Sequence, residues 1–194
     1  MTSQHVLFVP EGSFGVLDNG EIPAHTADWA NGFLAPMESG VLIATGIHTG
    51  NVRVAAMPLE NPPSLPAEGD WEEIVEVSVY APTGNLRVDA LDTGPVVELP
   101  LLSSAGPGWY RVRVHAKARR TLWDKTSTEP VEDYLVQSWP ADPADITFLR
   151  TTDLIDESPS APVGLPSAPQ SARKTAEEED PELQRLLRGL PPQG

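Results

Sequence analysis

Four cationic or titratable side chains recur at every second position in Trp109-Tyr110-Arg111-Val112-Arg113-Val114-His115-Ala116-Lys117. That spacing puts Arg111, Arg113, His115 and Lys117 on one face of an extended strand, and Tyr110, Val112, Val114 and Ala116 on the other. A row of bases of this kind is able to hold an anion or an acidic partner. It is also what the solvent face of one strand looks like when it is paired across a sheet with acids such as Glu73, Glu76, Glu132 or Asp133. In a chain of net charge −15, the second reading is favoured. The opposite charge gathers in Glu68, Asp70, Glu72, Glu73 and Glu76, the densest acidic run of the candidate domain. These five are the candidate partner-binding residues, as an anionic surface for a basic protein. The same run also suits a strand edge kept soluble by charge.

Other reactive constellations are missing from the sequence. The four histidines stand singly at positions 5, 25, 48 and 115, with no H-x-H or H-E-x-x-H, whereas a metal site needs several ligands converging. No cysteine is present, which removes disulfides, thiolate nucleophiles and sulfur-ligated metals. There is no G-x-S-x-G, no phosphate-binding G-x-x-x-x-G-K-S/T loop and no G-x-G-x-x-G. We therefore assign no catalytic, cofactor-binding or metal-binding residue, and expect a protein that is not an enzyme. Trp71, Trp109 and Trp139 lie at the edges of candidate strands and read as core anchors.

The elements that must position these residues are short and β-rich. Residues 133–139 pair naturally with the Arg-rich strand. Residues 5–9, 41–45, 52–55, 72–80, 86–91, 96–99 and 146–149 read as further strands, punctuated by Asn19-Gly20, Pro62-Pro63, Pro82-Thr83-Gly84-Asn85 and Gly106-Pro107-Gly108. Residues 41–45 and 52–55 read as a hairpin with a longer loop, and Gly12-Ser13-Phe14-Gly15 as a turn. Residues 24–33 read as a short helical turn capped by Thr26 or Asp28 and stopped by Gly32. Turn signals every ten or so residues predict an all-β fold, an antiparallel two-sheet β-sandwich of eight to nine strands, over residues 1–153.

Residues 154–176 are rich in Pro, Ser and Ala and are expected to be a disordered linker. Residues 177–194 read as an acidic tail with one short helix. Asp180 is its N-cap, Pro181 its first residue and Gly189 its C′ residue. Leu183, Leu186, Leu187 and Leu190 make one apolar stripe, and so short a helix needs a surface to dock on.

Charge narrows the function further. Residues 1–153 hold 21 acidic and 9 basic residues, so the acidity belongs mainly to the candidate domain. That argues against direct nucleic-acid binding, which needs a cationic footprint. It permits a basic protein partner steered by the field, although solubility in a protein-dense cytoplasm is the commoner reason for such charge. No run approaches the ~20 apolar residues of a membrane span, and the first residues lack a signal-peptide pattern. The expectation is a cytoplasmic protein that does not engage membranes.

The order of features resembles the bacterial competence protein J family. The matching pieces are Asp28-Trp29 with Gly32, residues 41–46, Asn51-Val52-Arg53-Val54, residues 70–78 and residues 108–114, within a span of roughly 25–153. Residues 111–115 with 134–140 also resemble an uncharacterised actinobacterial group. The competence family implies a small acidic cytoplasmic β-sandwich that inhibits a DNA-degrading nuclease by direct binding. It has no catalytic residues to carry over. The resulting expectation is a non-enzymatic acidic binding protein, an inhibitor or immunity factor for a basic nuclease or toxin. The alternative is an adaptor that docks on a larger assembly through Leu183, Leu186, Leu187 and Leu190.

Overall fold

The computed structural model describes residues 4–64 and 69–157, all within the unit Met1–Val163. Among the described residues are eleven strands: β1 (Gln4–Val9), β2 (Ser13–Asp18), β3 (Leu34–Pro36), β4 (Val41–Ala44), β5 (Thr49–Pro58), β6 (Glu73–Ala81), β7 (Leu86–Asp89), β8 (Gly108–Lys117), β9 (Thr126–Ser127), β10 (Asp133–Pro140) and β11 (Thr147–Arg150). The helical element among them is one 3-10 turn, Ala24–Thr26. The fold is all-β with two sheets. The larger runs β1-β5-β10-β8-β6-β11, with β9 also on β5, and the smaller runs β3-β4-β2-β7.

One core joins them. Val52, Val75, Val112 and Val136 come from the large sheet, and Phe14, Val16, Ile43 and Val88 from the small one. The period-two alternation of β8 explains its inner half: Tyr110, Val112, Val114 and Ala116 are buried in this core. Phe14 meets Tyr134 edge-on across the layers, ring centroids 5.2 Å apart, a geometry aromatic pairs favour.

Several expectations change here. Among the described residues the strands number eleven rather than eight to nine, and two pairings are parallel: β5 with β10 and β5 with β9. Residues 41–44 and 49–58 do not form a hairpin. They lie in different sheets, because Glu132 takes the Gly46 and Ile47 backbone N–H groups at 2.9 and 2.6 Å and turns the chain across the gap. Residues 13–15 are strand rather than turn: all three pair with β4, and Gly15 pairs with β7 as well. Residues 96–99 form no strand, leaving a single bridge between Asp89 and Pro95. The helical turn after Ala24 stops at Thr26. Beyond it Asn31 organises the chain with its side chain, accepting from the Phe33 and Leu34 N–H groups and donating to the Leu34 carbonyl.

Candidate functional site

The Arg-rich face of β8 is not a solvent face. Arg111, Arg113 and His115 are all at most 5% exposed. They form a second layer on the outside of the large sheet. Glu76 of β6, opposite Arg113 in register, accepts from Arg113 Nε at 2.6 Å and Arg111 Nε at 3.3 Å. Arg111 also donates to Ser78, to the Ala144 and Asp145 carbonyls and to Thr147. In this way it ties β11 and its connector to the sheet. Arg113 lies 5.4 Å from the centre of the Trp139 ring. His115 Nε2 meets Gln137 Oε1 at 3.0 Å, and Trp71 covers the imidazole edge-on at 5.4 Å.

The expected cross-strand acid is thus present, in Glu76, but the face is internal. Alternation reports which side chains share a face, not whether a third layer covers it. Trp71 and Trp139 supply that cover, rather than anchoring the core between the sheets, and Trp109 packs on Tyr80 at 5.1 Å. Lys117, at the end of the row, is half-buried and pairs with Asp70.

Burial pulls His115 down from 6.5 to about 4; Arg113 and Arg150 push the same way, and Gln137 and Glu76 oppose them. The folded protein therefore keeps a neutral imidazole where the unfolded chain carries a proton. Between pH 6.5 and about 4 the unfolded state binds the extra proton, so lowering the pH across that window costs stability. The shift corresponds to a loss on the order of 3 kcal/mol. Burial raises the Glu132 carboxyl, which acts in the opposite sense but is common to wild type and variant. His115→Gln is expected to lose about 3 kcal/mol less than wild type between pH 7 and pH 4, read from urea midpoints. Equal losses would show that His115 is not held neutral.

A second convergence lies inside, and nothing in the sequence pattern singled it out. Arg119, 1% exposed, donates from Nη1 to Glu73 Oε2 at 2.7 Å. Its guanidinium sits 4.4 Å from the Phe33 ring centre, and Thr152 donates to the other Glu73 oxygen. Glu132, fully buried, holds Gly46, Ile47 and the Tyr134 hydroxyl. Burial raises the Tyr134 hydroxyl well above its usual value, with the neighbouring Glu132 carboxylate adding to the effect. Every carboxylate oxygen of this group is spent on a donor from another segment. Chemically it is a clamp joining residues 46–47, 73, 119, 132–134 and 152.

The five candidate partner-binding acids do not form one surface. Glu73 and Glu76 are buried in the ion pairs just described, because odd and even positions of β6 both face packed layers. Asp70 and Glu72 are exposed; Glu72 accepts from the Ala118 N–H. Glu68, and the docking residues Leu183, Leu186, Leu187 and Leu190, lie outside the described residues. The histidines stay apart: His5 on β1, His25 in the 3-10 turn, His48 before β5 and His115 in the outer layer. Among the described residues no three His, Asp or Glu side chains are grouped to hold a metal ion. No helix among them is long and apolar enough to cross a membrane.

No family model matches the chain, and no curated protein matches it. A solved structure titled "Crocagin biosynthetic gene J" aligns over 73% of this chain and 98% of its own, at 13% identity and a TM-score of 0.43. At that score the likeness carries no argument.

Proposed function

We propose that this chain is a non-enzymatic acidic binding protein that takes a basic protein partner, as an inhibitor or immunity factor for a nuclease or toxin does. The two sheets act as the layers of a β-sandwich scaffold. The distribution of charge is the main support. Arg111, Arg113 and Arg119 are buried, so the exposed bases among the described residues are Arg120, Lys125 and Arg150, against fifteen exposed acids. Inside, the three arginines lie with the buried carboxylates Asp18, Glu73, Glu76, Asp89 and Glu132, and what is left exposed is strongly acidic. Such a surface speeds encounter with a cationic partner and weakens with salt. The sequence resemblance to the competence protein J family points the same way.

Asp70 and Glu72 are the accessible part of the acidic run. The double variant Asp70→Lys, Glu72→Lys is expected to slow association with a captured basic partner about ten-fold at low salt. The melting temperature should change little, since exposed ion pairs contribute little to stability. Stopped-flow or surface-resonance kinetics at two salt concentrations read this. If the partner recovered on the immobilised full chain is acidic, or its on-rate ignores salt, the proposal fails.

A further inference from the structure

Among the described residues, strand β1 is one of the two edges of the large sheet: it pairs with β5 and ends the strand order. Its sequence, Gln-His-Val-Leu-Phe-Val, contains no Lys, Asp, Glu, Pro or Gly. Edge strands are ordinarily protected by a charge, a proline or a bulge, and this one has none within it. An uncharged run with Val6, Phe8 and Val9, all of high β-propensity, is also the kind of segment that pairs readily with another chain. Val6 and Phe8 are 52% and 47% exposed.

A cleft of about 270 Å³ runs beside this strand. Four consecutive residues, His5 to Phe8, line it. Consecutive residues of a strand point to opposite faces, so the cleft is bordered by the backbone edge and not by one face. The opposite wall is the segment after β7, including Thr93, Pro95 and Glu98. The lining contains Glu98 and no Lys or Arg, and Asp92 and Glu98 are exposed.

We propose that β1 receives an extended, cationic segment of the partner as an added strand. Backbone pairing to the free edge would supply affinity, and Val6 and Phe8 would contact alternate apolar side chains. Glu98 would select a lysine or arginine reaching across the cleft. This deepens the basic-partner reading and rests on it.

The test uses the full chain and three synthetic peptides: Lys-Val-Lys-Val-Thr-Val-Lys, its Glu-for-Lys counterpart, and a Thr-for-Lys counterpart. Hydrogen–deuterium exchange should show slowed exchange in residues 4–9 on adding the Lys peptide. That peptide should bind about ten-fold more tightly than the Glu peptide. Phe8→Lys, at a half-exposed position and so folded, should weaken all three, while Glu98→Lys should abolish only the preference for Lys. Protection elsewhere than 4–9, or binding unaffected by Phe8→Lys, would overturn strand addition at this edge. Equal binding of all three at β1 would overturn the cationic-partner reading and leave the edge as a docking strand. Concentration-dependent dimers that Phe8→Lys abolishes would overturn the proposal in favour of a second copy.

Discussion

Arg119→Met is expected to destabilise the fold by about 3–5 kcal/mol, the range for removing one partner of a buried ion pair. The guanidinium offsets the buried Glu73 charge directly and favours the charged form of Glu132. Methionine keeps much of the volume over Phe33 but leaves Glu73 without its cation. Against a typical total of 5–15 kcal/mol, such a loss brings the native state close to its limit. A melting temperature roughly 6–20 °C lower is expected for a chain of this size. The double variant Arg119→Met, Glu73→Leu should recover part of the loss, because it removes the stranded charge as well as its partner. A single variant within 1 kcal/mol of wild type by urea unfolding would mean that the clamp does not hold the sheets.

Gly46→Ala strikes the same clamp from the other side. A β-carbon at residue 46 would lie 1.7 Å from the Arg119 carbonyl oxygen and 2.5 Å from its carbon, and both are backbone atoms. Neither can rotate away. Overpacking a core ordinarily costs about 1–3 kcal/mol, and backbone overlap this deep should cost about 3 kcal/mol or more. The Gly46 N–H also bonds to Glu132, so any shift that relieves the clash weakens that bond. Gly94→Ala is the control: its β-carbon would meet nothing within 4 Å, although its φ is +87°. The control should cost only about 1 kcal/mol, from the left-handed backbone. Comparable losses in the two variants, by urea or thermal unfolding, would remove close approach as the reason for glycine at 46.

Much of the scaffold was legible because period-two alternation is a local signal. Residues 110–116 put Val112 and Val114 inward, residues 133–139 pair with them in antiparallel register, and 147–150 form an edge strand. Three kinds of information were not local. Sheet membership of 41–44 and 49–58 depends on Glu132, which holds Gly46 and Ile47 from 86 and 85 residues downstream. The fate of the Arg face depends on the cover from Trp71, Trp139 and the connector before β11, and no pattern in residues 109–117 reports a third layer. The clamp joins residues that look unremarkable singly: Glu73 reads as one acid in an acidic run, and Arg119 as part of a polar loop. A residue-by-residue signal did exist for the outer layer. Glu76 and Arg113 sit at matching positions of strands that pair, and opposite charges across a strand pair stabilise each other.

The same geometry explains why acid-rich sequence and acidic surface are different things here. Two members of the predicted patch neutralise internal arginines, and the surface charge comes instead from acids dispersed over the loops, such as Glu11, Glu38, Glu60, Asp92 and Asp142. A partner would therefore sense a broad negative field more than one concentrated spot. Local recognition would then fall to features with shape, of which the β1 edge is the clearest.

The interned arginines are the point on which the whole account turns, and their Nε–H groups report on them directly. Proton–nitrogen spectra of the full chain should show the Nε–H groups of Arg111 and Arg113, which donate to Glu76, as resolved signals exchanging slowly with water. Those of exposed Arg120 and Arg150 should exchange rapidly. If the Arg111 and Arg113 signals exchange as fast as those of Arg120 and Arg150, the row faces solvent, the surface carries more cations than the account allows, and the basic-partner reading loses its support.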